Sequence, residues 1–287
     1  MVRFSVRFGV ASMVGAVGLL LAGYAVTSAE TVASFDEGKS LRAIATATYR
    51  HQRREVVDAR SAVVTFVSRH RLSEATDGDL YLLYTNFYVE AEGETGGEGA
   101  DRPIQIAATV EAKQADGRYA PPQPVEFTGF VTEIEIGPRK LAWGRVKLGR
   151  LPAGAEIRVR TRRTALPNGY APAGQPTNRD ETIGFALGDH RTGDLPALSS
   201  GRTPYGPTTI ASFMNNAPAG VGLVGDSILA GRGDPVAEGG WAVRRLEELG
   251  IGYVQLARGG DRAVWWSSRL ANRPARFDAR DPLCAWL

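Results

Sequence analysis

The sequence predicts a two-part protein of class β + α/β. An antiparallel, sandwich-like β domain is expected over residues 61–185, followed by a parallel α/β segment over residues 218–287. Three observations carry this. From about Ser61 the chain runs in short β-branched and aromatic stretches that alternate apolar with polar residues and are cut by Gly, Pro and Asp. From Ala219 the pattern changes to all-apolar strand-length runs separated by helical ones. With 287 residues, 43% apolar and 23% charged, there is enough chain and enough apolar content for two cores.

At the N-terminus, Arg3 and Arg7 precede an acid-free apolar stretch from Phe8 to Val26, and Thr27-Ser28-Ala29 supplies small residues suited to cleavage. Residues 1–29 therefore read as a secretory signal peptide or an uncleaved membrane anchor, and the rest is expected to be exported, to a periplasm or outside the cell. Residues 30–60, with the Arg-rich "YRHQRREVVDAR", read as a solvated linker. The single cysteine, Cys284, excludes an internal disulfide and a cysteine-based metal site. The formal charge of +3 comes from arginines scattered among acidic residues, with no basic block to track a phosphate backbone, so nucleic acid is not an expected partner.

Within the β domain, "AVVTFVSRHRL", "DLYLLYTNFYVEAEG", "IQIAATVEA", "PVEFTGFVTEIEI", "KLAWGRVKLGRL" and "AEIRVRTRRTAL" are the expected strands, with period-two alternation clearest at Ile104-Ile106 and Ile157-Val159. Residues 166–217 are rich in Gly, Pro, Asn and Thr, and 186–217 read as the connection to the second part. There, "GVGLVG" and "IGYVQLA" are short buried strands. "GGWAVRRLEELG" is a helix with Trp241, Val243, Leu246 and Leu249 near helical spacing and Gly250 as its C-cap. "AVWWSSRLANRP" is a second helix, ended by Pro274.

The chemistry concentrates at "GLVGDSILAGRGD". Ser227 follows an apolar strand, and "ARGGDRA" follows the next one, so in a parallel sheet both loops leave the same edge, where ligands gather. Bare backbone N–H groups at Gly259 or Gly260, with that of Ser227, would stabilise an oxyanion in acyl transfer. Competing motifs fail: there is no G-x-S-x-G, no P-loop Lys-Ser/Thr and no G-x-G-x-x-G. Arg232-Gly233-Asp234 spells an adhesion tripeptide, but three-letter matches arise freely by chance. No His/Cys/carboxylate cluster has metal-ligand spacing, and neither metal nor cofactor is implied.

"VGDSILAG" followed one strand later by "QLARGGDRA" resembles the first two signature blocks of the SGNH/GDSL hydrolases, and "TNFYVEAEG", "LPAGAEIRVRT" and "TPYGPTTI" resemble the β-rich region of exported members. The resemblance implies that residues 218–287 form the first βαβα part of a flavodoxin-like hydrolase domain. It implies Ser227 as nucleophile and oxyanion donor, Asp226 as the residue shaping the turn, and Gly260 as the second oxyanion donor, with Gly259 the fallback. The implied reaction is ester hydrolysis on a small-molecule or carbohydrate substrate.

The family's third block, and its last block with Asp and His, have no counterpart here. The histidines are His51, His70 and His190, all upstream of Ser227, and Asp278 and Asp281 stand too early for the last block and have no His with them. A Ser hydroxyl without an adjacent base is a weak nucleophile. The expectation is therefore a hydrolase-type chain with little or no esterase activity as written and a poorly stable C-terminal part. The alternative is a non-catalytic exported protein whose β domain binds carbohydrate or a partner through Tyr81, Tyr84, Phe87 and Tyr88.

Overall fold

The computed structural model describes residues 39–45, 49–76, 78–87, 102–138, 140–176, 182–199, 205–215, 221–223, 225, 226, 228, 229, 231, 240–255 and 257. The N-terminal apolar segment, Tyr88, the second expected helix, Trp265, Trp266, Asp278, Asp281, Cys284 and Trp286 lie outside them. The elements are β1 (Lys39–Ala43), β2 (Tyr49–Val57), β3 (Val63–Arg71), β4 (Asp79–Thr85) and β5 (Ile104–Ala112). There follow β6 (Gln123–Pro124), β7 (Glu126–Phe127), β8 (Ile134–Ile136), β9 (Leu141–Lys147), β10 (Glu156–Ala165) and β11 (Gly169–Pro176). Last come β12 (Thr182–Leu187), β13 (Thr209–Asn215), β14 (Val221–Leu223), α1 (Gly240–Glu248) and β15 (Tyr253–Gln255).

Two antiparallel sheets dominate. The first has the order β1-β13-β4-β9-β7, and the second β12-β3-β10-β5-β6 with β8 also on β5. Period-two alternation sends one set of side chains from each sheet inward. Val64 and Phe66 of β3, Ile104, Ile106, Ala108 and Val110 of β5, and Ile157 and Val159 of β10 meet Leu80, Leu82 and Tyr84 of β4 in one core. Tyr205 completes it, fully buried, stacked on Tyr84 with ring centroids 6.3 Å apart and donating its hydroxyl to the Thr85 carbonyl at 2.9 Å. Tyr205→Phe removes the donor from that buried carbonyl, and a loss of about 1 kcal/mol is expected in urea unfolding.

The expectation of a βαβα flavodoxin-like part is overturned. Among the described residues 53% are strand and 6% helix, with one helix, and the two large sheets are antiparallel and not closed. Parallel pairing among the described residues is limited to β14 and β15, three residues each, flanking α1. So short a pair cannot carry a doubly wound sheet. It docks instead on the outer face of the first sheet, where Val254 joins Leu41, Ala43, Tyr81, Leu83, Trp143 and Ala211 in a second cluster.

Two segments are more ordered than their composition predicts. Residues 39–57, expected within a linker, contribute β1 at the edge of the first sheet and β2, which pairs with β11. One charge of β2 has a distant partner: Glu55 meets Arg163 of β10 at 2.8 Å, and Arg163 is fully buried beside the Phe66 and Tyr205 rings. The expected connection, 186–217, supplies β13, seated between β1 and β4. Its earlier part, 188–194, straps the outer face of the second sheet. The Arg160 Nη1 donates to the His190 and Gly193 carbonyls (3.2 and 2.8 Å), and Thr109 donates to the Arg191 carbonyl (2.7 Å).

Candidate functional site: the turn after β14

β14 ends at Leu223, and the apolar run halts at Gly225. A β-carbon at Gly225 would lie 2.6 Å from the Leu229 side chain, so the turn folds closely back on itself. Asp226 is exposed, and its Oδ1 accepts the Ile228 N–H at 2.9 Å, an Asx-type turn spanning position 227. The Gly231 N–H then donates to the Ile228 carbonyl at 2.9 Å. Ser227 itself, and Gly259 and Gly260, lie outside the described residues.

The two strands that precede these residues in the chain end at one sheet edge. β14 and β15 run parallel in the register Val221↔Tyr253, Gly222↔Val254, Leu223↔Gln255, so their C-terminal ends stand side by side. Gln255 ties them. It is buried; its Nε2 donates to the Leu229 carbonyl at 3.4 Å, and its Oε1 accepts the Ala257 N–H at 3.0 Å. Sequence reading missed Gln255; its only signal is a polar side chain closing an apolar strand.

α1 ends as expected. The Gly250 N–H donates to the Glu247 carbonyl (3.0 Å) and the Ile251 N–H to the Leu246 carbonyl (2.8 Å), the Schellman pattern, with Gly250 at φ 65°. Its apolar stripe is narrower than the spacing predicts. Val243 is buried, but Trp241 is 64% and Leu249 52% exposed among the described surroundings.

The described histidines serve the β body. The buried His70 shares its Nε2 with the Ser68 Oγ at 2.9 Å, and the His190 Nε2 lies 2.8 Å from the Leu187 carbonyl. His51 stands on β2, its side chain outside the described residues. The adjacent Asp189 is no partner for His190, because its carboxylate meets Arg191 at 2.8 Å and Arg162 at 3.2 Å. The hydrogen bonds of Arg191 come first, against partial burial, in holding that carboxyl down at about 2.

Of the aromatics considered for sugar binding, Tyr81 packs edge-on to Phe213 in the outer cluster, with centroids 5.0 Å apart, and Tyr84 lies in the main core. Neither offers a ring face to solvent. Among the described residues no group of three or more His, Cys, Asp or Glu could hold a metal ion, and no helix is long and apolar enough to cross a membrane. No family model matches the chain, and no curated protein matches it.

Proposed function

We propose that this is an exported serine ester hydrolase of SGNH/GDSL type, with Ser227 as nucleophile and the Ser227 and Gly260 N–H groups as oxyanion donors. Its substrate class is a small-molecule or carbohydrate ester. The observation that supports the reading is the parallel register of β14 and β15, which ends side by side the two strands that Ser227 and Gly259-Gly260 follow in the chain. The reading rests on this local unit and the motif within it, not on a flavodoxin-like sheet. In the reaction the Ser227 Oγ bonds the ester carbonyl carbon, its proton passes to a base, the oxyanion collapses and the alcohol leaves; water then releases the acid. His70 and His190 are engaged in the β body, so the Ser227 proton passes to water; an activated ester can acylate Ser227 that way, and the alkyl ester formed then hydrolyses slowly without a side-chain base.

The 287-residue chain treated with p-nitrophenyl acetate should therefore acquire acetyl on the Ser227 peptide. Oxyanion donors should make that acylation at least about tenfold faster than at any other serine. Steady-state hydrolysis should stay at the level of the Ser227→Ala variant, for want of a base. Peptide mass spectrometry reads the first and absorbance the second. Acetylation spread evenly over the serines would refute the assignment.

A further inference from the structure

The outer face of the second sheet carries a ladder of arginines whose neutralisation is incomplete at one place. On β10, Arg158, Arg160 and Arg162 share this face, opposite the core-facing Ile157 and Val159. Glu111 of β5, directly across from Arg158, serves two of them. It accepts from Arg158 at 2.5 and 2.8 Å and from Arg160 at 2.6 and 2.9 Å. Glu156 is likewise engaged, by Lys113 at 3.2 Å and by the Tyr119 hydroxyl.

Arg69 of β3 faces Arg158 directly across the β3–β10 ladder. Like charges at opposed positions repel. Among the described residues, four arginines have a buried Nε with no hydrogen-bond partner: Arg42, Arg69, Arg162 and Arg163. Three of them still meet a carboxylate through another nitrogen: Arg42 with Glu74, Arg162 with Glu133 and Asp189, and Arg163 with Glu55. Among the described residues, no hydrogen bond or ion pair reaches Arg69. Arg69 as a residue is half-buried, and Glu156 acts on it by charge without a hydrogen bond or ion pair. Beside it, Arg158 lies 3.9 Å over the Tyr119 ring, a stacking that holds its planar fork in place.

We propose that Arg69 and Arg158, flanked by Lys113, form a site for an oxyanion: a carboxylate, sulfate or phosphate group. Such a group adds negative charge between two opposed guanidinium groups, of which Glu111 holds only the Arg158 fork and Glu156 reaches Arg69 only by charge. The site stands on a different sheet from the Ser227 turn and does not depend on the hydrolase reading.

The 287-residue chain is melted in low millimolar sodium sulfate or phosphate and in sodium chloride of equal ionic strength. The oxyanions should raise Tm by on the order of 3 °C over chloride, and Arg69→Gln should abolish that difference while folding normally. Equal responses of the two proteins would overturn the site, since general salt effects act on both. Phenylglyoxal labelling of the unsubstituted chain gives a second measurement. Arg69 should react in chloride and be slowed by about fivefold or more in saturating sulfate; equal labelling in both salts overturns the proposal as well. A sulfated oligosaccharide that protects at far lower concentration than free sulfate assigns the anion to a polymer. Equal protection per sulfate group assigns it to a free oxyanion.

Discussion

Replacing Gly252 with alanine should detach β14, α1 and β15 from the face of the first sheet. A β-carbon there would lie 2.1 Å from the Ala43 carbonyl oxygen, 2.6 Å from its carbon and 2.8 Å from the Ile44 Cα. All three are backbone atoms of β1 and its continuation, so no side-chain rotation relieves the contact. Either β1 moves, which strains its pairing with β13, or β15 lifts and takes Val254 out of the cluster around Tyr81 and Trp143. The expected cost is about 3 kcal/mol or more, at the upper end for overpacking. Hydrogen exchange at the Tyr253–Gln255 amides reads the detachment directly. Gly137→Ala, whose new methyl meets only the Lys140 Cγ at an ordinary 3.6 Å, should stay within about 0.5 kcal/mol of the parent. Unchanged exchange at residues 253–255 in Gly252→Ala would show that the unit is not held at this point.

The second large effect is expected at Glu111. Its side chain is 3% exposed and joins Arg158 and Arg160, themselves 18% and 4% exposed. Glu111→Ala leaves two guanidinium groups facing each other across a buried gap, a loss of about 3–5 kcal/mol by urea unfolding at neutral pH. Burial pushes the Glu111 carboxyl up, but the hydrogen bonds and charges of Arg158 and Arg160 outweigh it and hold the group below its ordinary 4.5. A depressed folded-state value means that the contribution is fully present above the ordinary carboxylate range. It is lost as pH falls through the lower, folded value. The stability gap between the parent and Glu111→Ala should therefore be constant near neutrality and narrow in acid. A gap that does not change with pH would contradict the pairing.

Some of this architecture was legible because it depends on neighbours in the chain. Alternation at Ile104-Ile106 and Ile157-Val159 gives core faces directly, since successive side chains on a strand point to opposite sides. Gly250 was readable as a helix stop from local geometry alone. The turn at Gly225-Asp226 was readable too, and the Asp226–Ile228 hydrogen bond is a contact two residues long. What failed were readings that need a partner far along the chain. The Arg-rich stretch containing β2 looks like a solvated linker until β11 pairs with it and Arg163 donates to Glu55. Residues 209–215 look like connection until β1 and β4 flank them. The parallel strands that suggested a flavodoxin-like sheet pair over three residues each among those described, and their local pattern carried no information about how far the sheet extends.

The sequence by itself determined which residues turn inward on each strand, where the helix stops and which serine follows an apolar strand. These are matters of periodicity and of hydrogen bonds within a few residues. Only the tertiary structure decided that residues 39–43, 49–57 and 209–215 are strands and that Gln255 ties the segments after β14 and β15. It also decided that Gly252 must lack a side chain and that Arg69 stands opposite Arg158 with no carboxylate in direct contact among the described residues. Each of these depends on a backbone or charge brought in from elsewhere in the chain. The free energy of such contacts exists only once the sheets have closed on their core.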